Sequence, residues 1–275
     1  MDNPTMLEPY PAAPDIIVLP SYFPLPGLGM LPVNAFVLKA AEPVLVDAGL
    51  ICLSDAFMEN LSSVIEPAHL RWLWLTHADQ DHIGSVARVL ESAPALRIIT
   101  TYLGAGRMSL CQPLPTDRVY FLNPGQSISV GDRTLTAVRP PSFDSAETTG
   151  FHDPKAGAFF CADCFGAIMS EPAAAAGDIP WADLRAGLIK WATIDAPWLH
   201  MVDGARFKGT LDRVRKLSPK LVLSHHLPVA RGMADQLLDC LAEVPAAEPF
   251  VGPDQQEFEA LTRGVGAELR AWRSH

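Results

Sequence analysis

Residues 70–75 read Leu-Arg-Trp-Leu-Trp-Leu, and the chain then runs straight into Thr76-His77-Ala78-Asp79-Gln80-Asp81-His82. The first stretch is apolar and aromatic, which suits a strand buried on both faces. The second places two imidazoles and two carboxylates at the end of that strand. Each such group buried without a partner costs roughly 1–3 kcal/mol or more. The fold must therefore open that strand end onto something that satisfies four polar groups together, and a metal ion does so while neutralising their charge.

Three further places carry the same kind of chemistry. Pro140-Pro141-Ser142-Phe143-Asp144-Ser145 follows the strand-like Thr134–Arg139. Asp163 follows Phe159-Phe160-Cys161-Ala162, and His225-His226 follows Leu221-Val222-Leu223-Ser224. Ligand-type groups at several apolar strand ends make sense if those ends converge on a cation. His69, His200 and His275 stand outside these places and read as ordinary hydrogen-bonded histidines, and Asp47 reads equally as a turn or supporting residue or as a ligand itself.

The remaining pattern mixes strands and helices throughout. Strands are expected at 15–19, 33–39, 44–47, 70–76, 97–101, 118–122, 127–130, 134–139, 156–162 and 220–224. Helices are expected at 54–66, after Gly84, across 181–217 with breaks at Pro197 and Gly204, and near 232–243 and 254–272. Residues 1–14, rich in proline and small side chains, read as a loosely held arm, and 15–275 as one domain. This is neither strict βαβ alternation nor an all-β pattern, so the class is α/β (α+β) with mixed sheets.

Composition narrows the function. Hydrophobic residues are 49% and charged residues 19%, a globular balance, and the formal net charge is −10. So acidic a chain lacks the basic footprint of a nucleic-acid binder. The five scattered cysteines do not form a disulfide framework. Cys161-Ala162-Asp163-Cys164 has C-x-x-C spacing, but it brackets a strand-end aspartate and reads as packing. No secretory leader and no membrane-length apolar run is apparent, so the expectation is a soluble cytoplasmic protein.

Thr76–His82 resembles the T-H-x-H-x-D-H signature of the metallo-β-lactamase superfamily. "FFCADCFG" resembles the strand that delivers that family's bridging aspartate, and "LVLSHH" the strand that delivers its last histidine. The implied fold is a four-layer αβ/βα sandwich, two mixed sheets face to face with helices outside. One departure narrows the resemblance, because the second histidine of the signature is Asp79 here. An acidic residue at that place is similar to the flavodiiron proteins and the single-domain oxygen-binding diiron proteins. The resemblance implies that His77 and Asp79 hold a first metal, that Asp81, His82 and His225 hold a second, and that Asp163 bridges the two. Carboxylate in place of imidazole also makes a site harder and more anionic, which favours iron or manganese over zinc.

A second departure concerns a histidine that relatives carry before the Asp-Ser segment. Pro141 stands there, and it cannot coordinate. The first metal then keeps His77, Asp79 and Asp163, with open positions for water, a substrate or a neighbour such as Glu147 or His152. Three readings follow. The first is a non-haem diiron protein that binds or reduces dioxygen or nitric oxide. With no flavodoxin domain read in the chain, it needs an external electron donor or a signalling partner. The second is a metal-dependent hydrolase of esters, thioesters or phosphodiesters, with Asp81 as base or orienting group for a bridging hydroxide. The third is a metal-binding module that keeps only part of the site. The expected cofactor is two metal ions, iron first and manganese or zinc as alternatives, and the oligomeric state stays open.

Overall fold

The structure, a computed structural model, describes residues 3–263. The first sheet holds β1 (Thr5–Met6), β2 (Tyr10–Ala13), β3 (Ile16–Leu25), β4 (Gly29–Leu38), β5 (Val44–Val46), β6 (Trp72–Trp74), β7 (Arg97–Thr100) and β8 (Val119–Phe121). The second holds β9 (Ser127–Ser129), β10 (Thr134–Val138), β11 (Gly150–Asp153), β12 (Ala158–Phe160), β13 (Leu221–Leu223) and β14 (Ala230–Arg231). Between and after them run α1 (Ser54–Val64), α2 (Gln80–Ile83), α3 (Val86–Ser92), α4 (Tyr102–Cys111), α5 (Trp181–Asp195), α6 (Gly204–Arg215), α7 (Ala234–Glu243) and α8 (Gln255–Arg263).

Strand alternation builds the layers. On β4, Phe36 and Leu38 face the second sheet, while Ala35 and Val37 face the helices. On β12 and β13, Phe160 and Leu223 point between the sheets, and Phe159 and Val222 point outward. Both faces of these strands are covered, so their sequences are continuously apolar and not alternating. Between the sheets the Phe151 ring stacks on Phe160 at 4.3 Å and meets Trp74 at 4.4 Å. Such aromatic pairs contribute about 0.5–1.5 kcal/mol each beyond their buried area. Helices α1, α3 and α4 cover the outer face of the first sheet through Phe57, Leu61, Val86, Val89 and Met108. Helices α5, α6 and α7 cover the second through Leu184, Leu188, Leu211, Leu237 and Leu241. The expected four-layer sandwich is the observed one.

Three of the expectations change. Residues 5–6 and 10–13 are not a loose arm. They form β1 and β2 on the long β3, where Ala12 is buried among the residues between the sheets. The β3–β4 hairpin is longer than expected, pairing from Ile16↔Leu38 to Leu25↔Gly29. Helix α4 was not foreseen. Beyond Arg263, the expected 254–272 helix and His275 lie outside the described residues. Among the described residues no helix is long and apolar enough to cross a membrane.

Strands β5, β6, β7 and β8 run parallel, as do β12 and β13. Their carboxyl ends therefore open on one edge, where α/β sheets place their ligand crevices.

Candidate metal centre

Each strand end at this edge delivers one part of the cluster. After β5 comes Asp47, with φ +57°, a left-handed backbone that aspartate tolerates better than most residues. Its carboxylate accepts from the Thr76 backbone N–H at 2.9 Å and from the Thr76 hydroxyl at 2.8 Å, and it lies 3.0 Å from His82 Nδ1. After β6 come His77 and then α2, which carries Asp81 and His82. The turn beyond α2 is pressed onto the loop after β5. Gly84 N–H donates to Gly49 O at 2.8 Å, and a Cβ at Gly84 would stand 2.2–2.4 Å from the backbone of residues 49–51. Only glycine allows that approach, which fixes His82 over Asp47.

After β12 comes Asp163, inside a turn where Ala162 (φ +50°) and Phe165 (φ +66°) are both left-handed. Strain of about 1–2 kcal/mol at each is offset by the hydrogen bonds of the turn. Trp191 Nε1 donates to Asp163 O at 3.1 Å, and His225 N–H donates to Ala162 O at 2.8 Å. The His225-His226 turn after β13 is gripped from the other sheet. Asn34 on β4 donates through Nδ2 to Ser224 O at 3.2 Å and Leu227 O at 2.8 Å. His226 Nδ1 donates to Pro32 O at 2.7 Å, which leaves Nε2 as a bare acceptor.

The geometry is compact. Asp163 Oδ2 is 3.1 Å from His77 Nε2, and Asp163 Oδ1 is 3.0 Å from His82 Nε2. Asp81 Oδ2 lies 3.3 Å from His226 Nε2, 3.7 Å from His225 Nε2 and 3.8 Å from His82 Nε2. The His82 and His225 rings stack at 3.6 Å. Asp81, His82, His225 and His226 offer ligand atoms within 4.8 Å of one another, and so do His77, His82 and Asp163, and His77, Asp79 and Asp144. His77 Nε2, His82 Nε2, both ring nitrogens of His225 and Asp163 Oδ1 are buried, yet none makes a hydrogen bond. Native interiors rarely leave such atoms unpaired. Four of them, all but His225 Nδ1, belong to the groups of ligand atoms that lie within reach of one ion.

Electrostatics agree. Burial alone would lower the His77 imidazole, as would His82, but the Asp163 and Asp144 carboxylates outweigh both and hold it at about 9. Burial opposes charge on His82 too, and Asp163, Asp81 and Asp47 still raise it well above the ordinary value. His225 is pushed well down by burial and by its neighbours His82 and His226. Burial would raise Asp163, yet His77, His82 and His226 keep it well below the usual carboxylate range.

A model of the family described as ODP family beta lactamase matches residues 31–226. The chain belongs to that family. The match spans every group just described, from β4 to His226. Among individual proteins, the ODP-family chain is 35% identical over 71 residues to the flavo-diiron protein FprA2 of Clostridium acetobutylicum, which is 26% of this chain and 18% of that one. It is 21% identical over 133 residues to a nitric oxide reductase of Moorella thermoacetica, 48% of this chain and 33% of that one. Its fold superposes on the rubredoxin oxygen:oxidoreductase of Desulfovibrio gigas with a TM-score of 0.77 at 18% identity, covering 88% of this chain and 63% of that one. The chain thus spans only part of each of these relatives.

Within this ODP-family site all six sequence-derived candidates, His77, Asp79, Asp81, His82, Asp163 and His225, come together. The two expected substitutes for the missing histidine do not join them. Glu147 turns to Arg107 Nη1 at 2.8 Å, because a buried carboxylate needs a cation and α4 supplies one. His152 sits mid-strand on β11, paired with Thr136 and Phe159, away from the strand ends. The carboxylate that reaches the cluster instead is Asp144. Asp195, the last residue of α5, forms a further group with Asp144 and Asp163. Burial, and then the charges of Asp163 and Asp144, raise its carboxyl to about 8.

Sequence reasoning also missed Arg107, whose Nη2 lies 3.1 Å from Asp79 Oδ1, since it missed α4. The sign of Asp195 was present but faint: an acid at a helix C-terminus opposes the helix dipole and calls for a compensating charge. Cys161 and Cys164 are buried packing residues. Desolvation raises both thiols, Cys164 to about 12, so neither is a thiolate at neutral pH.

Proposed function

We propose that this protein carries a dinuclear non-haem iron centre that binds or reduces dioxygen or nitric oxide. The observation that carries this reading is Asp163, whose two oxygens address two different buried imidazoles, as a bridging carboxylate must. His77 and Asp79 hold the first metal, and Asp81, His82 and His225 the second. The three carboxylates suit iron better than zinc. The relatives named for flavo-diiron, oxygen-reducing and nitric-oxide-reducing activity support the same choice.

When bound, the iron pair supplies electrons and open coordination positions to a small diatomic molecule. The protein's own part is to hold and shield. Asp47 fixes the tautomer of His82 by accepting a hydrogen bond from Nδ1–H, so that the unprotonated Nε2 points inward. Trp74 Nε1 donates to Thr149 O at 3.0 Å and Thr149 N–H to Thr76 O at 2.7 Å, sealing the floor beneath His77. Arg107 steers Asp79 from the rim and leaves one of its oxygens for the cluster. Electrons come from a donor outside the described residues.

The test is metal content after growth in iron-supplemented medium without added zinc, with absorbance followed from anaerobic reduction into air. About two irons per chain and an oxygen-dependent near-ultraviolet band are expected. Zinc in both positions, or a spectrum indifferent to oxygen and nitric oxide, overturns the reading in favour of the hydrolase.

A further inference from the structure

The two ends of the cluster differ in donor chemistry. At one end Asp81 meets His82, His225 and His226. At the other, His77 meets Asp79 and Asp144, and Asp144 meets Asp163 and Asp195. We propose that Asp144 replaces the imidazole that Pro141 cannot supply, with Asp195 behind it, so that the two positions, both open to iron, differ in the other metals they prefer. The His77 pocket is an oxygen-donor site that selects manganese or iron, and the His226 pocket is a nitrogen-rich site that also accepts zinc. This rests on the two-metal reading and names its selectivity.

Three observations carry it. First, Asp144 and Asp195 have no lysine or arginine of their own among the described residues, and the one basic group against Asp144 is the His77 imidazole. Among the described residues neither Asp144 nor Asp195 pairs with a lysine or arginine, and Arg107 is engaged by Asp79 and Glu147. Asp195 also ends a helix, where the dipole disfavours negative charge. Three carboxylate oxygens within 4.8 Å of one another repel unless a cation or a shared proton stands between them, and a bound cation would take the proton's place. Second, His77 is 1% exposed, and its Nε2 is buried without a hydrogen bond, directed at this group. Third, the carboxylates are held in place. Asp144 accepts from Ser145 Oγ at 3.0 Å and Thr148 Oγ1 at 3.3 Å. Trp198 Nε1 donates to Phe143 O at 2.7 Å, so the segment that follows Asp195 clamps the loop that carries Asp144.

At the other end the choice is the reverse. His226 adds a third imidazole, oriented by Pro32 O and with Nε2 free. Carboxylates suit manganese, while imidazoles suit zinc and iron.

The full chain, stripped of metal, is offered manganese and zinc together and then desalted. Bound metals are counted by elemental mass spectrometry, and manganese is followed by its electron paramagnetic resonance. One manganese and one zinc per chain are expected. Asp144→Ala and Asp195→Asn should each weaken manganese binding about tenfold or more and keep the zinc, while Asp144→His should convert the protein to two zincs. Circular dichroism confirms folding, and Asp144 at the rim tolerates change. Two manganese or two zinc ions taken up by the wild-type protein from the mixture, or manganese retained undiminished in Asp144→Ala, overturns this proposal and leaves the two-metal reading intact. Fewer than two metals at saturation overturns both.

Discussion

His82, His225 and His226 stand directly on strand ends or on the short helix against them, each 2% exposed or less. Asp79, Asp144 and Asp195 stand instead on a loop, at the rim and at a helix terminus, with Asp79 and Asp144 side chains 37% and 23% exposed. The first set is prebuilt: Asp47 orients His82, Pro32 O orients His226, and Asn34 locks the turn that carries His225. The second set is held at its edges, by hydroxyls, one arginine and a tryptophan clamp on the loop. A rigid imidazole end needs no reorganisation to accept an ion. A carboxylate end can shift as the charge of its ion changes, which is useful where electrons come and go.

The largest effect that would erase this contrast is at its shared member. Asp163→Ala should weaken both metals by about 100-fold or more, read by metal content after dialysis. Retention of both would rule out a bridge. Next, Asp47→Ala unties His82 and should weaken the imidazole end alone, by about 10–100-fold, with the carboxylate end measured in the same sample. Equal loss at both ends would mean that the two ends are one site. Asp79→His should raise the zinc-to-iron ratio of purified protein several-fold. An unchanged ratio would show that Asp79 serves Arg107 only. Trp198→Phe removes the clamp on the Asp144 loop. It should cost about 1 kcal/mol of stability by thermal unfolding, with a modest loss of manganese. The smallest expected effect is none: His152→Ala should leave metal content unchanged, and a lost ion would return His152 to the candidates.

The rigid end was legible from sequence. Strand ends announce themselves, because apolar runs such as 70–75 and 221–223 stop abruptly at ligand-type residues. The layers were legible for the same reason, since buried strands are the most strongly patterned segments. Of the adaptable end, Asp79 was legible with the strand ends and the loop of Asp144 stood out, but neither Asp144 nor Asp195 was read as a ligand. Asp144 sits in a proline-bounded loop without periodicity, and Asp195 looks like any acid on a half-exposed helix. Arg107 was hidden because α4 holds Gly104 and Gly106, which lower helix propensity by about 1 kcal/mol each. Gly104 is there for space: a Cβ would meet Thr100 Oγ1 at 2.3 Å. Thr101, which caps the helix by accepting from Gly104 N–H, was the available clue. The N-terminal strands were misread because their prolines suggested a tail, whereas an edge strand accommodates proline well.

The grip of Asn34 on the backbone at Ser224 and Leu227 joins residues up to 193 positions apart. During synthesis on the ribosome, β4 emerges early, long before the turn it will hold. The pocket for the second ion cannot close until residues 224–227 have been made and the two sheets have met. Loading with metal is then a late event in the life of each molecule, one that reports whether the halves have docked correctly.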